Sequence, residues 1–186
     1  EHRTGGLDSE EEIRDHLGIS PDKRIILFIG QVRVDASIIM DSPLFPDPVE
    51  LIADLAGHVQ EYKDCIFVVK LHPKEASGSS PAEVPYDNMT YKALKERGIE
   101  KFDNVRVVKD PKVNTYVLMR MAQAGITLTS QAGLEMCMLG KPVMVCGNAF
   151  YGRKGFTVDL AHTSALKCSL DYLVGSEDTN EEIRNR

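Results

Sequence analysis

Five short runs of this chain are apolar at nearly every position rather than at every second one: RIILFIG (24–30), CIFVVKL (65–71), NVRVVKD (104–110), AGITLTS (124–130) and PVMVCG (142–147). Successive side chains of a strand point to opposite faces, so apolar residues at both parities imply a strand buried on both sides. A parallel sheet with helices on both faces gives such strands their cover. The segments between the runs supply the helices. DPVELIADLAGHVQEYKD places apolar residues at 49, 52, 55, 56 and 59, a helical stripe. MTYKALKERGIEKF, NTYVLMRMAQ and SALKCSLDYLVG follow in turn. This alternation predicts a doubly wound, Rossmann-like α/β sheet of about five parallel strands.

At 186 residues the chain suffices for one such domain with a sizeable core. Residues 1–20 are expected to form an N-terminal helix or linker, and the polar end 176–186 a frayed tail. The sequence opens EHRTGGLDSEEE without a methionine, so it is expected to be a piece of a longer protein. A formal charge of −6 argues against a nucleic-acid partner, which needs a basic surface. The sequence has neither a signal-peptide pattern nor an apolar run near the ~20 residues that span a bilayer. The expected location is the cytoplasm, including a peripheral position at the inner face of a membrane. Cys65, Cys137, Cys146 and Cys168 are scattered without a CxxC pair, as expected of reduced thiols.

Ligands of open parallel sheets bind beyond the carboxyl ends of the strands. Most of the unusual polar residues fall there: Gln31 and Asp35 after the first run, His72 and Pro73 after the second, Asp110 after the third. Thr129 and Ser130 follow the fourth, and Asn148 the fifth. Two loops, 31–48 and 73–88, are long for such a domain, which marks them as functional or disordered. His72 precedes a proline that fixes the chain direction, and Lys70 shares its face by strand alternation. With Lys74 nearby, this imidazole suits a phosphate oxygen; a histidine that only ties down its loop is the alternative. TSQAG (129–133) reads as a helix start with Thr129 or Ser130 as N-cap, and the exposed amides through Gln131 and Gly133 suit an anion.

Glu135 lies in the otherwise apolar or small stretch QAGLEMCMLG. It does not complete a capping box with Thr129 or Ser130, because Ala132 and Gly133 stand three residues on. One turn into the helix, it is placed to accept hydrogen bonds from the vicinal hydroxyls of a ribose. The alternative is an ion pair with Arg120 or Lys141.

These residues carry a resemblance. The His72–Pro73 pair followed by TSQAGLEMCMLGKPVMVCGNAFYGRKGFT resembles the capsule polysaccharide Kdo transferases, whose stretch runs approximately T-S-x-x-G-x-E-A-L-L-x-G-K-P-V and then G-x-P-F-Y-A-G-W-G-L-T. GQVRVDASI (30–38) is similar to their glycine–glutamine–valine loop, and the likeness extends over residues 24 to 160. The resemblance implies a GT-B-like enzyme of two Rossmann-like halves, with CMP-Kdo as donor held mainly by the C-terminal half. It implies that His72, Thr129 and Ser130 meet the phosphate and that Glu135 meets the ribose. Asp35 becomes the candidate nucleophile of a retaining, double-displacement transfer, with Gln31 beside it. An Asx-turn role is the alternative for Asp35. Asn148, Phe150 and Tyr151 fall on the sugar or acceptor side.

The partners implied are a nucleotide-sugar donor, a glycan or glycolipid acceptor and a missing N-terminal half. No metal cofactor is expected, because His72, the lysines and a helix terminus supply positive charge and no Asp-x-Asp motif occurs. The sequence departs from the family pattern at Val34, where one of two paired acids would stand. It departs again at Ala149, which replaces a proline, and at Lys154, near the family's tryptophan. A UDP-sugar transferase of the same fold and a non-catalytic nucleotide- or glycan-binding module are the competing readings. The absence of G-x-G-x-x-G after the first strand argues against a dinucleotide-binding enzyme, and that of G-K-[ST] against a phosphate-loop enzyme.

Overall fold

The structure is a computed structural model that describes residues 6–77 and 87–175. The first half of the chain runs α1 (Glu10–Leu17), β1 (Arg24–Ile29), α2 (Ala36–Asp41), α3 (Pro48–Val59), β2 (Cys65–Lys70), α4 (Pro73–Ser77) and α5 (Met89–Glu96). The second half runs β3 (Val105–Val108), α6 (Thr115–Met121), β4 (Ala124–Thr127), α7 (Ala132–Met138), β5 (Val143–Val145), β6 (Val158–Asp159) and α8 (Leu166–Gly175). All paired strands are parallel, in the order β3-β2-β1-β4-β5-β6. The order therefore reverses between β1 and β4, where Phe28 stands opposite Ile126.

The two parities of β1 enter two separate cores. Ile26 and Phe28 pack with Leu51, Ile52 and Leu55 of α3 and with Leu170 and Leu173 of α8. Ile25, Leu27 and Ile29 pack with Ile13 of α1, Val117 and Leu118 of α6 and Met136 of α7. The continuous apolar runs thus serve two layers of helices, as the sequence required. Local signals set the helix ends. Ser9 and Glu12 form a reciprocal capping box at α1, and Gly18 closes that helix with φ 60°.

Among the described residues the sheet has six strands rather than about five. The sixth, Val158–Asp159, has only two residues, and its one carboxylate hid it from a search for apolar runs. The long loops also contain structure, α2 in 31–48 and α4 at the start of 73–88. Residues 1–5, 78–86 and the expected frayed tail 176–186 lie outside the described residues. The four cysteines are free thiols, with Cys65 and Cys146 buried and Cys168 exposed.

Candidate functional site

The carboxyl ends of β1 and β4 are tied together by side chains. Gln31 Nε2 donates to Thr129 Oγ1 at 2.9 Å and to Ser37 Oγ at 3.0 Å, and its Oε1 accepts the Thr129 amide at 3.0 Å. Asp35 caps α2, its Oδ1 accepting from the Ser37 amide at 2.9 Å and the Ser37 hydroxyl at 2.6 Å. The Ser37 hydroxyl holds the Asp35 carboxyl below its ordinary pKa, and His72 and Lys74 add to the effect through space. Asp35 therefore lies on the same rim as His72 and is ionised at neutral pH.

Beside this strut opens a cleft of about 210 Å³, walled by the ends of β1 and β2, the first turn of α6 and the start of α7. Lys70, His72, Pro73, Ser130 and Glu135 all line it. Lys70 is 2% exposed, and its Nζ donates to the Asp110 carbonyl at 3.2 Å. Burial lowers its pKa because the charge has left water. His72 Nδ1 accepts the Lys74 amide at 3.2 Å, so the neutral ring carries its proton on Nε2, as a donor. Burial, then Lys74, push the His72 pKa down. Gly30 allows this crowding, since a Cβ there would lie 2.9 Å from the Lys70 carbonyl oxygen.

The start of α7 departs from the sequence expectation. The helix begins at Ala132, and exposed Gln131 precedes it without a side-chain cap bond. Ser130 Oγ accepts the Ala132 amide at 3.3 Å, while both polar groups of Thr129 turn to Gln31. Thr129 is thus part of the strut rather than the cap. Glu135 lies against the phenol of Tyr116, whose pKa the carboxylate raises. Among the described residues no ion pair joins Glu135 to Arg120 or Lys141; Lys141 feels Glu10 instead.

Besides Gln31, Asp35, Thr129 and Gln131, four further expected site residues, Gly133, Asn148, Phe150 and Tyr151, do not line this cleft. Tyr151 is 2% exposed and its hydroxyl donates to the Ser130 carbonyl at 2.5 Å. It braces the helix start and is buried in this chain, whereas Asn148 and Phe150 of the same expected side are exposed. Burial raises the Tyr151 pKa. Gly133 is buried under it, where a Cβ would overlap the Tyr151 hydroxyl and approach Thr127 Cγ2 to 2.9 Å. Its amide is bonded to the Ser130 carbonyl at 3.1 Å rather than open to an anion. Asn148 is exposed, accepts from Arg153 at 3.0 Å and neighbours Phe150, which is 70% exposed and edge-on to Tyr151.

Two residues of the rim escaped the sequence reading. Tyr116 follows the third strand run at a helix start, a position that hydrophobic patterning treats as surface. Glu75 is 1% exposed, and its carboxylate accepts from the Thr90 amide at 3.1 Å and hydroxyl at 2.5 Å, tying α4 to α5 just beyond His72. Among the described residues no cluster of three His, Cys, Asp or Glu is placed to hold a metal, and no helix is long and apolar enough to cross a membrane.

Comparison with known proteins gives this geometry a context. Residues 8–168 match the family model described as capsule polysaccharide biosynthesis protein. The chain is 30% identical over 147 residues to the capsule polysaccharide modification protein LipA of Neisseria meningitidis serogroup A, covering 78% of this chain and 18% of that protein. The chain thus spans about a fifth of the length of the curated relatives it matches. Among solved structures, the β-Kdo 2,7-transferase of Thermosulfurimonas dismutans KpsC superposes with a TM-score of 0.53 at 26% identity, over 77% of this chain and 40% of that one. The UDP-GlcNAc 2-epimerase of Neisseria meningitidis superposes with a TM-score of 0.63 at 16% identity, over 94% and 42%. Such coverage is that of one Rossmann-like half of a GT-B-like molecule.

Proposed function

The chain belongs to the capsule polysaccharide biosynthesis protein family, and from that premise we propose that it is the donor-binding half of a glycosyltransferase that takes a CMP-linked acidic sugar such as Kdo. One observation carries the reading: Lys70, His72, Ser130 and Glu135, drawn from two strand ends and a helix start, line one cleft where the strand order reverses. The similar Thermosulfurimonas protein, a β-Kdo transferase, supports the sugar. The cleft volume of about 210 Å³ lies below the ~300–1,000 Å³ of complete small-molecule sites, which suits a site closed by a second half-domain.

In this reading Lys70, His72 Nε2 and Ser130 bind the phosphate of the donor, and Glu135 accepts the ribose hydroxyls. The ionised Asp35 attacks the anomeric carbon, the bond from that carbon to the phosphate oxygen breaks, and the nucleoside monophosphate departs toward His72 and Ser130. A glycan or glycolipid acceptor hydroxyl then attacks the same carbon, its proton passing to water, and Asp35 leaves as the free carboxylate, on the cytoplasmic side of the membrane. Lys70 offsets the phosphate charge, with the Nε2–H of His72 and the Ser130 hydroxyl as donors, without a metal ion.

A binding module without catalysis is the second reading. The capping bonds from Asp35 to Ser37 favour it, since they account for the carboxylate structurally. Calorimetric titration with CMP, UMP, UDP and GDP tests the proposal. Binding of CMP, undiminished by a chelator, is the expected result. Binding of UDP without CMP would transfer the donor to the uridine class, and no binding of any nucleotide would overturn the reading.

A further inference from the structure

We propose that Tyr116 is the nucleobase platform of this cleft, its ring stacking on the base while Glu135, against the same phenol, holds the ribose. The inference rests on reading the cleft as a nucleotide site. A nucleotide presents an anionic group, two vicinal hydroxyls and a flat aromatic ring with two stackable faces. The lining of the cleft holds groups complementary to each of these: Lys70, His72 and Ser130 for the anion, Glu135 for the hydroxyls, and Tyr116, which neighbours Glu135, with Met119 one turn further along α6 for the base. The base and the 2′-hydroxyl are carried on adjacent ribose carbons. A side chain in contact with the ribose acceptor therefore lies within reach of the base.

Tyr116 is 60% exposed although it lines a cleft wall, so much of the residue is open to a ligand. Its position is nevertheless fixed. The Tyr116 amide donates to Asn114 Oδ1 at 3.0 Å, and Asn114 Nδ2 donates to Asp8 Oδ1 at 2.7 Å. Leu7 pairs with Val113 as a single parallel bridge just before the helix. The Glu135 carboxylate lies close enough to the phenol to raise its pKa. An exposed aromatic ring carried on an ordered backbone loses little freedom when a base stacks on it. Aromatic stacking of this kind tolerates any base, so this wall supplies affinity for the nucleoside while discrimination between bases comes from elsewhere.

The test compares CMP with ribose 5-phosphate, which keeps the phosphate and the hydroxyls and lacks the base. Titrated into the chain, Tyr116→Leu should weaken CMP about tenfold or more, in line with measured losses for a stacked base. Ribose 5-phosphate should stay within about twofold, and Tyr116→Phe should bind CMP within about threefold of the unaltered chain. The sequence contains no tryptophan, so Tyr116→Trp supplies one indole whose fluorescence CMP should quench and ribose 5-phosphate should not. Equal loss of both ligands in Tyr116→Leu, or no loss of CMP, would overturn the platform while leaving the nucleotide site standing. If the unaltered chain bound neither ligand, the nucleotide reading itself would fall, and the platform with it.

Discussion

Gln31 and Thr129 stand 98 positions apart in the chain and meet side by side, the amide oxygen of one accepting the backbone amide of the other at 3.0 Å. The Gln31 amide nitrogen also donates to the Thr129 hydroxyl at 2.9 Å. This pair spans the point where strand order reverses and holds the loop of Asp35 against the end of β4. Gln31→Ala leaves the half-buried Thr129 amide without its acceptor, which costs about 1–3 kcal/mol. Urea unfolding should show that loss. An unchanged midpoint would mean that water or a shifted loop replaces the strut.

Gly133 is constrained by packing. Gly133→Ala should destabilise the chain by about 1–3 kcal/mol, because its methyl meets the Tyr151 hydroxyl and Thr127. Tyr151→Phe removes that hydroxyl along with its bond to the Ser130 carbonyl. The double variant should therefore lose less than the two single losses added, a coupling that thermal melts can read. Strict additivity would show that α7 shifts instead.

Glu135→Gln separates binding from folding. If the carboxylate accepts ribose hydroxyls, CMP affinity falls by about 1–3 kcal/mol, as for hydrogen bonds to a charged group. The melting temperature should move little, because no ion pair among the described residues depends on Glu135. A marked drop in melting temperature with unchanged affinity would remove the ribose role.

Asp35 is expected to act on turnover. In the full-length enzyme Asp35→Ala should abolish transfer while CMP affinity stays within about threefold, because a group acting at the reacting carbon is felt in the transition state. Mass spectrometry of the intact enzyme with donor alone should show a sugar adduct on residues 31–38. Retained transfer in Asp35→Ala would leave the capping bonds to Ser37 as its whole role.

His72 gives the stability a pH dependence of definite sign. Burial, then Lys74, hold its folded pKa below the ordinary 6.5. Above pH 6.5 both folded and unfolded chains carry a neutral ring, and the group costs nothing. As pH falls through 6.5 the unfolded chain takes up its proton first, so stability declines until the lower folded value is passed. His72→Asn should flatten this part of the stability–pH curve. A parallel curve in the variant would assign the decline to other groups.

The sequence by itself determined the layered sheet, because apolar residues at both parities of each strand have no other stable cover. It also determined the rim on which the polar residues gather, since that follows from chain direction in a parallel sheet. His72 and Glu135 were legible for the same reason: each is a polar group at a strand end or in an apolar helix, where a partner must exist. Tertiary structure alone decided which of these residues share a cleft. Gln31 and Thr129 turned to each other, and Tyr151 turned inward to the Ser130 carbonyl, choices set by contacts between segments far apart in the chain. Tyr116 and Glu135 became neighbours only because the starts of α6 and α7 meet at one cleft. Such pairings depend on distances that strand order and helix placement create, and no local pattern encodes them.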